Sequence, residues 1–327
     1  MSPPPSASNG FAAPLPLGGG GVHVSEFEQA RLRRHAFLAV VVAAVCIGFS
    51  AIFVRLADVG PAAIGFWRLL FALGPTALWA YAERRGVRAG AVPSSGARYR
   101  SLALTVLAGL FFAADLVLFH AGLARTSTAN GVLLGNIAPV FIVLFAWACL
   151  GERPTAALVI ALALALGGSA VIVLDSSLGG GSASFIGDLM CIAAASCYAA
   201  YMIVVRGIRR DGERAALGGG MVALISSGAG MVFCLVWAIA AGEQLAPASL
   251  QGFLAVAGLG IITHAFGQGL ATFALGRLPA GLISVVLLLQ MVVGMGMATM
   301  LFGEVPSWVV LAGGGLIVLG VTAVRPR

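Results

Sequence analysis

The sequence predicts an all-α integral membrane protein, with ten transmembrane helices arranged as two inverted five-helix repeats. Three observations lead there. The composition suits a chain embedded in lipid. Ten apolar runs are each long enough to cross a bilayer. Two Gly-Glu-x-Pro marks, "CLGERPT" from Cys149 and "LFGEVPS" from Leu301, stand half the chain apart.

Of 327 residues, 60% are hydrophobic and only 9% are charged, against roughly 25% charged in a soluble domain. The net charge of +7 comes from nineteen Arg and no Lys. These lie in short clusters between apolar runs, as membrane topology signals do. Nucleic acid is therefore rejected as a partner, and the lipid bilayer is expected as one. Cys46, Cys149, Cys191, Cys197 and Cys234 all sit inside apolar runs with no CxxC pair or zinc spacing, so they read as small core residues. Residues 1–35 open with a Pro/Gly/Ser-rich stretch that lacks the apolar region of a signal peptide. They are expected to form a disordered cytoplasmic tail.

A membrane helix needs about 20 mostly apolar residues. The runs that qualify are 36–54, 61–82, 101–123, 127–149, 155–174, 186–205, 217–241, 250–275, 279–302 and 307–324. Short separators are resolved by their punctuation. Gly151 and Gly303 can end one helix, and Pro154 and Pro306 suit the first turn of the next. Glu152 and Glu304 then fall near a helix N-terminus, where negative charge is favoured. With the N-terminus inside, 16 Arg lie on the cytoplasmic side, Arg55 and Arg125 lie outside, and Arg68 lies within the second span. That asymmetry predicts ten spans with both termini cytoplasmic.

Sliding the chain by 152 residues superimposes the two marks: Arg125 falls on Arg277, Gly151 on Gly303, Glu152 on Glu304, Pro154 on Pro306 and Gly168 on Gly320. Only nine of the 46 positions from 123 to 168 are identical, so the rare charged and proline residues carry the weight. A slide of 151 places Cys46 on Cys197, Ser50 on Tyr201 and Arg55 on Arg206. Residues 36–174 and 186–324 therefore form two repeats joined by "DSSLGGGSASF". Five helices is an odd number, so the second copy enters the membrane from the opposite side. Oppositely inserted halves support two mirror-related states around a site at their interface.

The stretches "FWRLLFALGP" (66–75), "ARTSTANGVLLGNIAPVFIVLFAWACLGERPT" (124–155) and "GRLPAGLISVVLLLQMVVGMGMATMLFGEVPS" (276–307) resemble the drug/metabolite transporter superfamily, and its EamA-type family in particular. The resemblance covers residues from about 36 to 324. It implies a ten-helix secondary carrier in a bacterial cytoplasmic membrane. Spans one to four and six to nine would surround the pathway, and five and ten would be peripheral. It also implies small-metabolite substrates, amino acids and toxic compounds among them, often exported. Met291 stands where the first half has Pro139, a departure from the repeat.

Burying an ionised residue at the bilayer midpoint costs about 2.5–3.5 kcal/mol on insertion scales, so each one needs a partner or a purpose. Arg68 and Asp115 fall at similar depth on adjacent spans and are expected to form an ion pair. That pair is either a structural bridge or a switch released by protonation of Asp115 or by a substrate carboxylate. His264 and Gln268 lie one turn apart on the eighth span, with Gln290 at similar depth on the ninth. His264 reads either as a proton carrier or as a hydrogen-bonding core residue. Asn136 and Pro139 lie in "GVLLGNIAP", where Gly131 and Gly135 permit close helix approach and Pro139 can kink the helix. Ser50 and Tyr201 are expected to line the cavity. Trp67 reads either as a stacking platform or as an interfacial anchor.

No HExxH, GxSxG or phosphate-binding loop is present, so neither an enzyme nor a cofactor or metal is expected. The reading is a secondary transporter, an exporter by resemblance, working by alternating access. Its partners would be a small-molecule substrate and the bilayer. Protons are the candidate coupling ion and a homodimer the candidate assembly. An uncoupled facilitator and a non-transporting membrane sensor are the alternatives.

Overall fold

Each of the ten predicted runs is helical in the computed structural model, which describes residues 26–86, 95–126, 128–176, 185–210, 217–303 and 307–323. The first run comprises α1 (Glu26–Gly48) and α2 (Ser50–Leu56); α3 (Pro61–Gly86) and α4 (Ser95–Leu123) follow. The fourth run is α5 (Thr128–Gly135) and α6 (Ala138–Leu150), and the fifth is α7 (Ala156–Ser176). The second half holds α8 (Phe185–Arg209) and α9 (Gly219–Ala240). Its eighth run joins α10 (Leu250–Gly258), a π-helical segment (Leu259–Gln268) and α11 (Gly269–Leu275). Then come α12 (Ala280–Leu287), α13 (Leu289–Phe302) and α14 (Trp308–Ala323). Among the described residues, eight runs are long and apolar enough to cross a membrane, and Ala156–Val171 and Trp308–Ala323 are shorter apolar helices.

Two sequence expectations need adjusting. Residues 26–35 were expected in the tail but form the first turns of α1. Most of "EFEQARLRRH" is made of good helix formers, so the apolar helix continues into polar sequence. Pro154 lies in the non-helical link 151–155 and not in a first helical turn. The cap of α7 is Thr155, whose hydroxyl accepts the Leu158 N–H at 3.2 Å. Ser307 does the same for Val310 in the second half, also at 3.2 Å. Gly151 and Gly303 do end their helices, both in the left-handed region at φ 71° and 68°, where a side chain would be strained. Glu304, Pro306 and most of the junction between the halves lie outside the described residues.

Matched breaks interrupt the fourth and ninth runs. The first falls at Asn136–Ile137, ahead of Pro139, and the second at Leu288, which is 152 residues beyond Asn136. The ninth run breaks with Met291 in the place of Pro139, so the interruption does not depend on proline. A third break follows Gly48 in the first run.

The bundle is tied by long antiparallel pairs, with α3 along α9, α4 along α8 and α7 along α14. Glycine sets the closest approach between α7 and α14. A Cβ on Gly168 would run into the Gly313 carbonyl oxygen, and one on Gly320 would stand 2.7 Å from the Ala161 carbonyl oxygen. Residues 313 and 320 are the counterparts of 161 and 168 under the 152-residue slide. The partner number falls in one helix as it rises in the other, so these helices run antiparallel.

Three carboxylates hold helix N-termini from a neighbouring element. Glu243, beyond the end of α9, accepts the Ala62 and Ala63 N–H groups of α3 at 2.8 and 3.0 Å. Glu83, near the end of α3, accepts the Gly219 and Gly220 N–H groups of α9 at 3.1 and 2.8 Å. Each helix of this pair thus caps the other. Glu152 binds Arg206 Nε at 2.7 Å and accepts the Ala280 N–H of α12 at 3.1 Å. Its charge therefore sits at the N-terminus of α12, not at that of α7 as its place in the chain suggests.

Gly168→Leu should open the α7–α14 contact and lower the melting temperature in detergent, at a cost of about 1–3 kcal/mol. Gly167→Leu, where an added Cβ meets nothing within 4 Å, should leave melting unchanged. Equal behaviour of the two variants would remove close packing as the role of Gly168.

Candidate functional site

Phe112, buried on α4, is the centre of a polar cluster drawn from both halves. The Arg68 guanidinium of α3 stands 5.4 Å from its ring centroid, a cation–π arrangement that suits a cation removed from water. The rings of His264 and Tyr201 are each 5.0 Å from Phe112, and that of Tyr198 is 6.4 Å away. His264 comes from the π-helical segment and Tyr198 and Tyr201 from α8. His264 lies 152 residues beyond Phe112, so the ring contact joins positions matched by the repeat.

The polar atoms around this ring are unevenly satisfied. His264 Nε2 is 3.0 Å from the Ser227 hydroxyl of α9. The Tyr198 and Tyr201 hydroxyls lie beside the Gln268 amide, and that of Tyr201 also lies near Thr272. Arg68, His264 and Gln268 are 8%, 6% and 3% exposed. Arg68 Nε, His264 Nδ1 and Gln268 Nε2 are buried with no hydrogen-bond partner.

Of the residues the sequence singles out, Arg68, Tyr201 and His264 stand around the Phe112 ring, with Gln268 beside the Tyr201 hydroxyl. The Arg68–Asp115 ion pair does not form. The ion pair that does form within 4 Å is that of Glu152 with Arg206. The guanidinium lies over Phe112, one helical turn from Asp115, so the ring takes the place expected for the carboxylate.

The other expected residues stand elsewhere. Ser50 is the first residue of α2, Asn136 lies in the turn between α5 and α6, Pro139 is the second residue of α6, and Gln290 the second of α13. They mark the helix breaks. The first and ninth runs meet there closely: a Cβ on Gly48 would stand 3.0 Å from the Gln290 carbonyl oxygen. Trp67 donates its indole N–H to the Leu245 carbonyl at 2.7 Å and stacks on Phe71 at 5.6 Å. Its donor is already used, in an aromatic cluster with Phe66 and Phe253.

Phe112, Tyr198, Ser227 and Thr272 were not singled out from the sequence. Tyr198 precedes Tyr201 by three residues, which puts both on one helix face, and this spacing was available as a signal. Phe112 carries no such mark. The π-helical segment was also missed. Its i→i+5 bonding leaves no pattern in residue type, yet such segments recur at functional sites.

A helical chain with eight described runs long and apolar enough to cross a membrane is a multi-pass membrane protein. The chain belongs to the EamA-like transporter family, whose profile matches twice, at residues 34–174 and 185–325. Over 283 residues it is 31% identical to a probable terminal-alkyne amino-acid exporter of Streptantibioticus cattleyicolor, a match that spans 85% of this chain and 89% of the relative. A solved crystal structure at 20% identity superimposes with a TM-score of 0.71, covering 89% of this chain and 96% of the other. At that identity it shares the fold.

Phe112→Ala should lower stability by about 3–5 kcal/mol, as expected for removing a buried aromatic, and should unpack Arg68 and His264 together. In a double-mutant cycle with His264→Leu, the two losses should therefore be non-additive by more than about 0.5 kcal/mol. Simple additivity would show that the rings do not act as one unit.

Proposed function

We propose that this chain is a secondary exporter of small amino-acid-like metabolites, working by alternating access in a bacterial cytoplasmic membrane. It would have ten spans in two inverted repeats and both termini in the cytoplasm. One observation carries the reading. The buried polar cluster takes Arg68, Phe112 and Asp115 from the first half and Tyr198, Tyr201, Ser227, His264 and Gln268 from the second. A site at the repeat interface is what an inverted-repeat carrier requires.

Several features support the topology. The α7–α14 contacts are reciprocal and antiparallel, as a two-fold relation between halves would make them. The inter-loop contacts join segments that the ten-span reading puts on one face: Glu83 with Gly219, Glu152 with Arg206 and Ala280, and Glu243 with Ala62. The matched breaks of the fourth and ninth runs are the interrupted segments such carriers use near their sites.

In this mechanism the Glu152–Arg206–Ala280 junction closes the cytoplasmic side. Arg206 also donates to the Leu275 carbonyl at 2.7 Å, so one contact set ties the ends of α6, α8, α11 and α12. Opening inward requires it to part. Coupling to protons would fall first to Asp115 and second to His264. A homodimer and the choice of coupling ion are further parts of the proposal. The amino-acid cargo of the Streptantibioticus cattleyicolor relative supports an amino-acid-like cargo for this chain.

The test is metabolite profiling of medium from cells expressing wild type, Asp115→Asn, Arg68→Ala or empty vector. The expected result is a compound that accumulates outside with wild type only and fails to do so after a protonophore. Accumulation insensitive to the protonophore would replace the coupled carrier with a facilitator, and binding without flux in proteoliposomes would replace it with a sensor. Glu152→Gln should weaken the inner closure by about 1.5–3 kcal/mol and raise labelling of a cysteine placed in the pathway from the cytoplasmic side. Unchanged labelling would remove Glu152 from the gate.

A further inference from the structure

We infer that the cluster around Phe112 is a carboxylate-binding subsite, with Arg68 Nε, Gln268 Nε2 and His264 Nδ1 as its donors. This rests on the transporter reading and adds the chemical group by which cargo is held. Buried polar groups are nearly always hydrogen-bonded, and each exception needs a reason. Here three exceptions gather about one ring, on side chains each more than nine-tenths buried.

Arg68 Nε and Gln268 Nε2 are donors, and His264 Nδ1 is a third in the tautomer that protonates it. The Arg68 guanidinium has no acceptor atom, and its neighbour across the ring face is the π-cloud of Phe112. The Tyr198 and Tyr201 hydroxyls lie beside the Gln268 amide, whose Nε2 makes no hydrogen bond. When the Ser227 hydroxyl donates to His264 Nε2, the imidazole proton sits on Nδ1, a third free donor. Arg68 Nε, Gln268 Nε2 and His264 Nδ1 are thus left without an acceptor of their own, beside one full positive charge. Asp115 does not fill that role, because it stays beyond ion-pair distance of Arg68. An acceptor-only anion with two oxygens supplies what is missing: it accepts from the guanidinium at one oxygen and from the amide and imidazole at the other.

The surrounding walls decide what kind of carboxylate fits. Phe112, Tyr198 and Tyr201 present ring surface around the donors, so the rest of the cargo is compact and apolar or unsaturated. A fixed charge without such walls would serve any anion. With them, the carboxylate is read by hydrogen bonds and the side chain by contact. A site built on buried donors rejects the analogue that cannot satisfy them, because the donors are then left unpaired.

The experiment uses purified full-length protein and three probes: L-propargylglycine, its primary carboxamide, and pent-4-ynoate, which keeps the carboxylate and lacks the amine. Binding is read as thermal protection in detergent, and transport as efflux from loaded proteoliposomes. The acid forms are expected to protect wild type, with the carboxamide at least tenfold weaker. Gln268→Leu and Arg68→Gln should each erase the preference for acid over amide, while a folded control melt establishes that each variant is intact. Because the acid–amide comparison is made on wild type, it stands even when a variant fails to fold. Equal protection by acid and carboxamide overturns the carboxylate assignment and leaves the exporter reading in place. Efflux of L-propargylglycine at a rate indifferent to Arg68→Gln and Gln268→Leu does the same. No protection and no efflux with any of the three probes overturns both this assignment and the amino-acid-like cargo on which it rests.

Discussion

The absence of water inside a bilayer is the constraint on which the rest of this structure depends. Every backbone N–H and C=O there must find a partner within the protein. Continuous helices meet that demand along their length and fail it at their ends, where four donors and four acceptors go unused. The chain answers with carboxylates delivered from other elements. Glu83 and Glu243 exchange this service between α3 and α9, and Glu152 extends it to α12. Each contact satisfies orphan donors, places negative charge at the positive end of a helix dipole, and fixes one helix end against another. Capping and assembly are the same interaction here.

The same scarcity explains why the polar cluster is informative. A soluble protein can leave a donor to solvent at little cost. A side chain held between apolar helices cannot, so unpaired groups at Arg68, His264 and Gln268 mark a place meant to be filled. Their walls come from aromatic residues on α4 and α8, and their charge from a single Arg. Two halves contribute, so relative motion of the halves changes the cluster directly.

Much of this was legible in the sequence. Span positions followed from apolar run length, and both helix-ending glycines from the repeated mark, because these depend on local composition and backbone geometry. Arg68, Tyr201, His264 and Gln268 drew notice because polar groups in apolar helices are rare enough to be conspicuous. What was not legible depends on helix rotation and on contacts between distant segments. Phe112 is one Phe among eighteen, and nothing local distinguishes the ring that receives Arg68. Asp115 looked like its partner because depth can be counted along a helix whereas azimuth, over one short turn, decides which neighbour is reached. Nothing in the sequence marks Glu83 or Glu243, because their role needs the partner helix ends in place.

The π-helical segment has a consequence for energetics. It occupies Leu259–Gln268 in the eighth run, while the matching third run is α-helical throughout. The halves are therefore unequal where the cluster is built, and the mirror-related arrangements of the proposed inverted repeat need not have equal free energy. On the alternating-access reading, this inequality cannot fix the direction of net flux, which belongs to the gradients. It fixes which side the empty carrier faces at rest, and hence on which side of the membrane a cargo molecule first finds an open door.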